Sequence, residues 1–346
     1  MSGVAEADFL LNQRGTGRDL GAWVAGVAFS RDGRSMGFAL SDGTVHLADT
    51  ADHKAEWRRL EAHEGAALSL APDVTSGLLS GGDDGRLLRI AADGTTEEIA
   101  SFGMMKWVDH VTTHPSGLRA AAVGKQVHLF DGKGAKLKAL GPHPSTVGGV
   151  ALDAKGKRVF ASHYGGVSIW FVAAKEDKAR VLTWKGSHHA IAVSPDGDSV
   201  VTAMQETSLH GWRLSDGQHM RMSGYPAKSP SLDFTAKGKW LATSGADSLV
   251  LWPFTGGGPM GKAPTELAGG DGVVCNRVAC HPQHDVVAAG FADGLVLMTE
   301  IASGKVVPVA APGRGGISAL AWNAAGTQLA FGTEDGFAAL LDLAKR

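Results

Sequence analysis

The chain has 346 residues, 44% of them apolar and 20% charged, with a formal net charge of −2. Such a chain can bury a large core, and its near-neutral charge argues against nucleic acid as the main partner. No apolar run approaches a membrane span, no basic-then-apolar leader opens the sequence, and only Cys275 and Cys280 are present, so a disulfide scaffold is excluded and the cytoplasm is the expected compartment.

In chain order, the first element is an apolar strand, Val27-Ala28-Phe29, running into the tight turn Ser30-Arg31-Asp32-Gly33. The same strand-and-turn unit returns at His114-Pro115-Ser116-Gly117, Ser194-Pro195-Asp196-Gly197 and Asn323-Ala324-Ala325-Gly326. Each ends on Gly, the residue that supplies positive φ in a tight hairpin. Strands such as Ile191-Ala192-Val193 are apolar on both sides, as expected where sheets cover both faces. Downstream of each such hairpin comes an acidic turn and a short apolar strand, as in Asp84-Gly85-Arg86-Leu87-Leu88-Arg89-Ile90 and Asp293-Gly294-Leu295-Val296-Leu297-Met298. The ends of these strands fall at Ala48, Ile90, Phe130, Trp170, Trp212, Trp252, Thr299 and Leu341, in steps of 42, 40, 40, 42, 40, 47 and 42 residues. A fixed period of this size carried by strands predicts an all-β, eight-bladed β-propeller of four-stranded antiparallel blades. The insert Gly256 to Lys262 accounts for the one long step.

This ladder resembles the WD-repeat family, in a degenerate, bacterial-type form, over about residues 22–343. The resemblance implies a hydrogen-bonded set in each blade: a His before the first strand, a Ser or Thr in the second, an Asp in the next turn, and a Trp. The second blade offers His63, Ser80 and Asp84, with Ile90 in the Trp position. The fourth offers His143, Ser162 and Trp170 but has Gly165 in the acidic place, and the fifth offers Thr202, Glu206 and Trp212 with His188 or His189 ahead. Apolar packing is therefore expected to carry more of the stability than this network.

The eighth ladder strand has no successor before Arg346, so its sheet lacks a fourth strand. The apolar segment Asp8-Phe9-Leu10-Leu11-Asn12 is left over, which predicts a closing strand at residues 7–14 and a single domain over residues 1–346.

Three motif matches fail on context. Gly33-Arg34-Ser35-Met36-Gly37 spells the serine-hydrolase elbow but sits in a hairpin with no helix behind it. Gly256 to Lys262 looks like a phosphate loop, yet Ala263 replaces the hydroxyl and Pro264 follows where a helix should start. Cys275, Cys280, His281 and His284 suggest zinc, but two cysteines at opposite ends of one strand stand about 16 Å apart, far beyond a shared ion. No cofactor and no metal are expected, with His281 and His284 the pair nearest to a surface site.

Charge is uneven along the chain. Residues 119–185 hold twelve Lys or Arg against four Asp or Glu, while residues 42–98 hold twelve acidic residues against five basic ones. The turns that carry Lys136, Lys138, Lys155 and Lys157 emerge on one propeller face, where a basic sector of blades three and four could steer an acidic partner. On the opposite face, Trp23 and Trp107 share a register ahead of their first strands, with Lys228 in that register in blade six and Tyr164, Gln205 and Phe291 in nearby turns. An exposed Trp is a common anchor of an interface.

Together these features predict a monomeric, non-catalytic protein-interaction scaffold, as the resemblance also implies. The alternative is a propeller with a small-ligand, metal or catalytic site at its channel mouth, for which Asp109-His110 and His188-His189 are the candidate residues.

Overall fold

The computed structural model describes residues 9–344. The described residues fall into two compact units, one of residues 25–193 and one that joins the described residues up to 24 with those from 194 onward.

Helix α1 (Leu10–Arg14) leads into strand β1 (Gly15–Asp19). The first repeat unit then supplies β2 (Val24–Phe29), β3 (Ser35–Leu40), β4 (Thr44–Asp49) and β5 (Arg58–Glu61). The second supplies β6 (Ala67–Pro72), β7 (Leu78–Gly82), β8 (Arg86–Ile90) and β9 (Thr96–Ser101), and the third β10 (Val108–His114), β11 (Leu118–Val123), β12 (Gln126–Phe130) and β13 (Lys136–Leu140). Next come β14 (Gly149–Leu152), β15 (Arg158–Phe171), β16 (Arg180–Val193), β17 (Ser199–Met204), β18 (Leu209–Arg213) and β19 (His219–Met222). The sixth repeat unit holds β20 (Leu232–Phe234), β21 (Trp240–Thr243), β22 (Ser248–Pro253) and β23 (Thr265–Gly269). The seventh holds β24 (Cys275–Cys280), β25 (Val286–Phe291), β26 (Val296–Glu300) and β27 (Val306–Ala310), and the last holds β28 (Ile317–Trp322), β29 (Gln328–Thr333) and β30 (Phe337–Asp342).

The fold is an all-β propeller of antiparallel sheets, but the repeat count overstates the number of sheets. Among the described residues the strands form seven sheets, six of four strands and one of six in the order β14-β15-β16-β17-β18-β19. Counted by hydrogen-bonded sheets, the propeller has seven blades, not the eight predicted, and one of them is not four-stranded. The cause lies in β16, which runs unbroken for 14 residues from the outer strand of the fourth repeat unit into the first strand of the fifth, where the other units break into separate short strands. The fourth and fifth repeat units thereby share one sheet.

The closing strand is also displaced from its predicted place. Residues 10–14 are helical, and β1, at Gly15–Asp19, pairs antiparallel with β30 from Gly15 opposite Leu341 to Asp19 opposite Phe337. Residues 7 and 8 of the predicted segment lie outside the described residues. Leu11 of α1 is buried with Val309, Phe331 and Leu341, so the leftover apolar segment caps the last sheet as a helix rather than extending it as a strand.

Apolar strands form the core because both of their faces are covered. All six positions of β3 and of β11 are buried, whereas the outer strand β5 is mostly exposed. Within residues 25–193, Leu78, Leu88 and Ile90 pack against Ala28, Ala39 and Leu47 of the preceding sheet. Burying a side chain of this size contributes about 1.5–3 kcal/mol. The hairpin turns follow their sequence: Gly33 takes φ +70 and its N–H donates to the Ser30 carbonyl at 2.9 Å.

Candidate interaction surface

The residues that resemble a blade-wise hydrogen-bonded set fall into place in the second blade and not in the fourth. In the second blade, His63 Nδ1 donates to the Asp84 carboxylate at 3.0 Å and its Nε2 meets Ser80 Oγ at 2.9 Å. Burial pushes the His63 imidazole below its ordinary range despite Asp84, so a neutral ring links turn and strand. In the fourth blade, His143 Nδ1 donates instead to the Lys125 carbonyl at 2.7 Å, and Ser162 Oγ donates to the His189 carbonyl at 2.5 Å. In the fifth, His188 Nε2 bonds the Trp184 carbonyl at 2.9 Å, and Thr202 Oγ1 donates to the His210 carbonyl at 3.2 Å.

A set that the sequence pattern concealed lies in the sixth blade, where Tyr225 takes the place of His. Trp252 Nε1 donates to Tyr225 Oη at 2.7 Å, and that hydroxyl lies 2.6 Å from Thr243 Oγ1. Burial raises the Tyr225 phenol to about 12. Searching for His alone misses this relay, since a phenol can both accept and donate at the same position.

The chemistry suggested by motifs does not assemble. Ser35 opens strand β3, with no helix behind it. Lys262 Nζ donates to the Thr255 carbonyl and so folds the glycine-rich loop onto itself. Cys275 and Cys280 are buried free thiols at the two ends of β24. His281 is not available for a surface metal site: Nε2 donates to the Gly326 carbonyl at 2.9 Å, and Nδ1 accepts from the backbone N–H of Gln283 at 3.1 Å and of His284 at 3.0 Å. Among the described residues no three His, Cys, Asp or Glu side chains group as a metal site needs. Of the two pairs considered for a channel mouth, burial holds His110 neutral, with its pKa lowered to about 4, and His188 is tied to the Trp184 carbonyl.

The basic sector is smaller than its composition. Arg119 is inside the protein, 2% exposed, and grips Asp73 through Nε at 2.7 Å and Nη2 at 2.9 Å. Arg158 pairs with Asp153 at 2.9 Å, and Lys138 pairs with Asp177 at 2.6 Å and with the Ala174 carbonyl at 2.5 Å. Lys136, Lys155 and Lys157 are exposed. Spacing along the chain cannot distinguish these cases, because the carboxylate partners of Arg119 and Lys138 lie 46 and 39 residues away.

The aromatic candidates divide between the two units. Trp23 stands directly before buried Val24 and is 50% exposed; Trp107 stands directly before buried Val108 and is 56% exposed. Tyr164 is exposed, its N–H donating to Ser145 Oγ at 2.8 Å, and Gln205 and Lys228 are exposed as well. Phe291 is a correction: it is fully buried with Leu249, Cys275 and Leu297, because it is the last residue of β25, paired with Cys275 of β24, and its ring packs over Gly269. Beside Trp107 the sequence reading overlooked Met104 and Met105, which are 88% and 87% exposed. The signal was present, as an apolar Met-Met-Lys-Trp run in a segment between repeat units where no strand needs it.

No protein-family model matches the chain. It is 24% identical over 307 residues to Autophagy-related protein 16 of Arabidopsis thaliana, covering 86% of this chain and 59% of the relative, so the chain spans about three fifths of that protein. Its structure is similar to the crystal structure of the computationally designed Ika8 protein, with a TM-score of 0.76 at 18% identity, over 94% of this chain and 98% of the other. That likeness concerns the fold alone. Among the described residues no helix is long and apolar enough to cross a membrane.

Proposed function

We propose that this chain is a WD-repeat protein acting as a non-catalytic, monomeric protein-interaction scaffold in the cytoplasm, and that Trp23 and Trp107 are contact residues, one on each compact unit. The observation that carries this reading is their exposure, 50% and 56%, on segments whose next residue is fully buried. A folded chain gains stability by covering an indole, and partners exploit indoles left in solvent. Tyr164, Gln205 and Lys228 would extend these surfaces. Lys136, Lys155 and Lys157 form a second surface for an acidic partner, and Lys138 contributes less because Asp177 neutralises it. The propeller fold and the likeness to Autophagy-related protein 16 support the scaffold reading.

The test is comparative capture from native lysate followed by mass spectrometry. The double variant Trp23→Ala, Trp107→Ala should lose proteins that the wild type retains, while melting like the wild type. Each truncated anchor is worth about 2 kcal/mol of binding with little salt dependence. Reversal of Lys136, Lys155 and Lys157 to Glu should instead weaken capture of acidic proteins, and less so as salt rises. Unchanged capture by both variants would overturn the reading.

A further inference from the structure

We propose that the loop from Gly103 to Trp107 docks a segment of another protein that carries apolar side chains beside Lys or Arg. This rests on the scaffold reading and specifies the partner's chemistry at one of its surfaces. Three observations carry it.

The first is how much apolar surface the loop gives to solvent. Met104 and Met105 are the most exposed of the large hydrophobic residues described, and Trp107 adds a half-exposed indole one residue beyond Lys106. Isolated exposed apolar residues are ordinary, but three in one short loop mark an interaction site. Methionine and tryptophan also complement each other there, one adapting its shape and the other anchoring.

The second is that the loop is held in place. Phe102 N–H donates to the Gly85 carbonyl at 2.9 Å, and the Phe102 ring packs on His128 at 4.6 Å. On the far side Val108 is fully buried. A Cβ on Gly85 would stand 2.2 Å from the Gly103 carbonyl and 3.2 Å from that of Lys106, so the loop backbone rests directly on that turn. Met105 has φ +65, a conformation that disfavours a side chain, and the fold maintains it. The ordering cost of presenting these side chains is thus met before a partner arrives.

The third is the charge beneath and around the loop. The turn it rests on is Asp83-Asp84-Gly85, and Glu64 N–H donates to the Asp84 carboxylate at 3.1 Å, which brings a third, exposed acid alongside. Asp84 is paired with a neutral imidazole, and the one cation of its turn, Arg86, is itself paired with Glu98 at 2.8 Å. Asp109 follows the loop on β10. Lys106 is the one cation of the loop itself. A negative border repels phosphates and anionic lipid, and it attracts a cationic segment.

The experiment selects binders for the full chain from a random displayed peptide library and measures the affinities of those recovered. The expected result is enrichment of peptides with Lys or Arg next to aromatic or aliphatic residues. Their affinity should fall about tenfold or more in Trp107→Ala and in the double variant Met104→Ser, Met105→Ser. It should fall severalfold in Glu64→Gln, an effect that fades with salt. These side chains are exposed, so unchanged melting curves check that the variants fold. Enriched peptides that are acidic or neutral, or that ignore the loop variants but need Trp23, would overturn this inference and leave the scaffold reading standing. A concentration-dependent dimer abolished by Trp107→Ala would also overturn it, assigning the loop to a second copy. An absence of any peptide binder would overturn this inference, and together with unchanged lysate capture by both the tryptophan and the lysine variants it would overturn the scaffold reading as well.

Discussion

Arg119 is the sharpest test of how the unit of residues 25–193 holds together. Composition places it in a basic surface sector, yet it is 2% exposed and its guanidinium makes two contacts to Asp73, at 2.7 and 2.9 Å, and one to the Asp131 carbonyl at 2.7 Å. Asp73 is fully buried; Arg89 reaches it at 3.1 Å from a partly exposed position, and the half-buried Arg31 acts on it through space. Replacing Arg119 by Met leaves a buried carboxylate that keeps only Arg89 at 3.1 Å and the nearby charge of Arg31, and a carbonyl whose remaining donor is the Gly134 N–H. Breaking a buried pair in this way costs about 3–5 kcal/mol, whereas replacing both partners by apolar groups is close to neutral. Arg119→Met should therefore destabilise by about 3 kcal/mol or more. The double variant Asp73→Leu, Arg119→Met should cost well under the sum of the two single changes. Urea unfolding followed by tryptophan fluorescence reads this, with exposed Lys133→Met as the control expected within about 0.5 kcal/mol of wild type. An Arg119→Met protein as stable as the Lys133 control, or single costs that simply add, would refute the argument.

Tyr225→Phe should lower stability by about 1–3 kcal/mol, because Trp252 Nε1 and Thr243 Oγ1 both lose a buried partner while the shape is unchanged; a melting curve equal to wild type would show that the relay is not needed. Acid should destabilise the protein through His110, whose pKa burial lowers from 6.5 to about 4. The unfolded ring takes up its proton near pH 6.5 and the folded one only near 4, so the stability tied to neutral His110 is complete above that upper value and declines as pH falls from there toward 4. Melting temperature measured across this window should fall less steeply for His110→Gln, and parallel curves would exclude His110 as a source.

The sheets were legible because their signal is repeated: alternate acidic turns and apolar strands survive a poor copy here and there. The sheet count was not, since it depends on whether the chain stays one unbroken strand from Arg180 to Val193 in β16, which composition does not encode. The closing strand was misplaced for a related reason. Gly15-Thr-Gly-Arg-Asp19 has little intrinsic strand preference and is a strand only because β30 offers it an edge. The apolar residues just before it looked more strand-like, yet Leu11 reaches the core from a helix. At the candidate surfaces, register located Trp23 and Trp107 correctly as exposed residues, but it could not tell Phe291, turned inward, from Tyr164, turned outward.

The polar connections of this fold and its candidate contact residues occupy different places. His63 with Asp84 and Ser80, Tyr225 with Thr243 and Trp252, and Arg119 with Asp73 are buried links between strands or turns. Trp23, Met104, Met105 and Trp107 take part in none of them. A change at an exposed site away from core, cap and network usually moves stability by no more than about 0.5 kcal/mol. Loss of binding in the loop variants can therefore be read as loss of contact. The two sets meet in the turn Asp84-Gly85: Asp84 bonds both His63 and the Glu64 N–H, and Gly85 turns the acidic hairpin and also bears the loop backbone. Its φ of +79 already disfavours any side chain, and a Cβ there would press on the Gly103 carbonyl. A substitution at Gly85 should thus disturb both fold and binding, in contrast to Trp107→Ala, which should disturb binding alone.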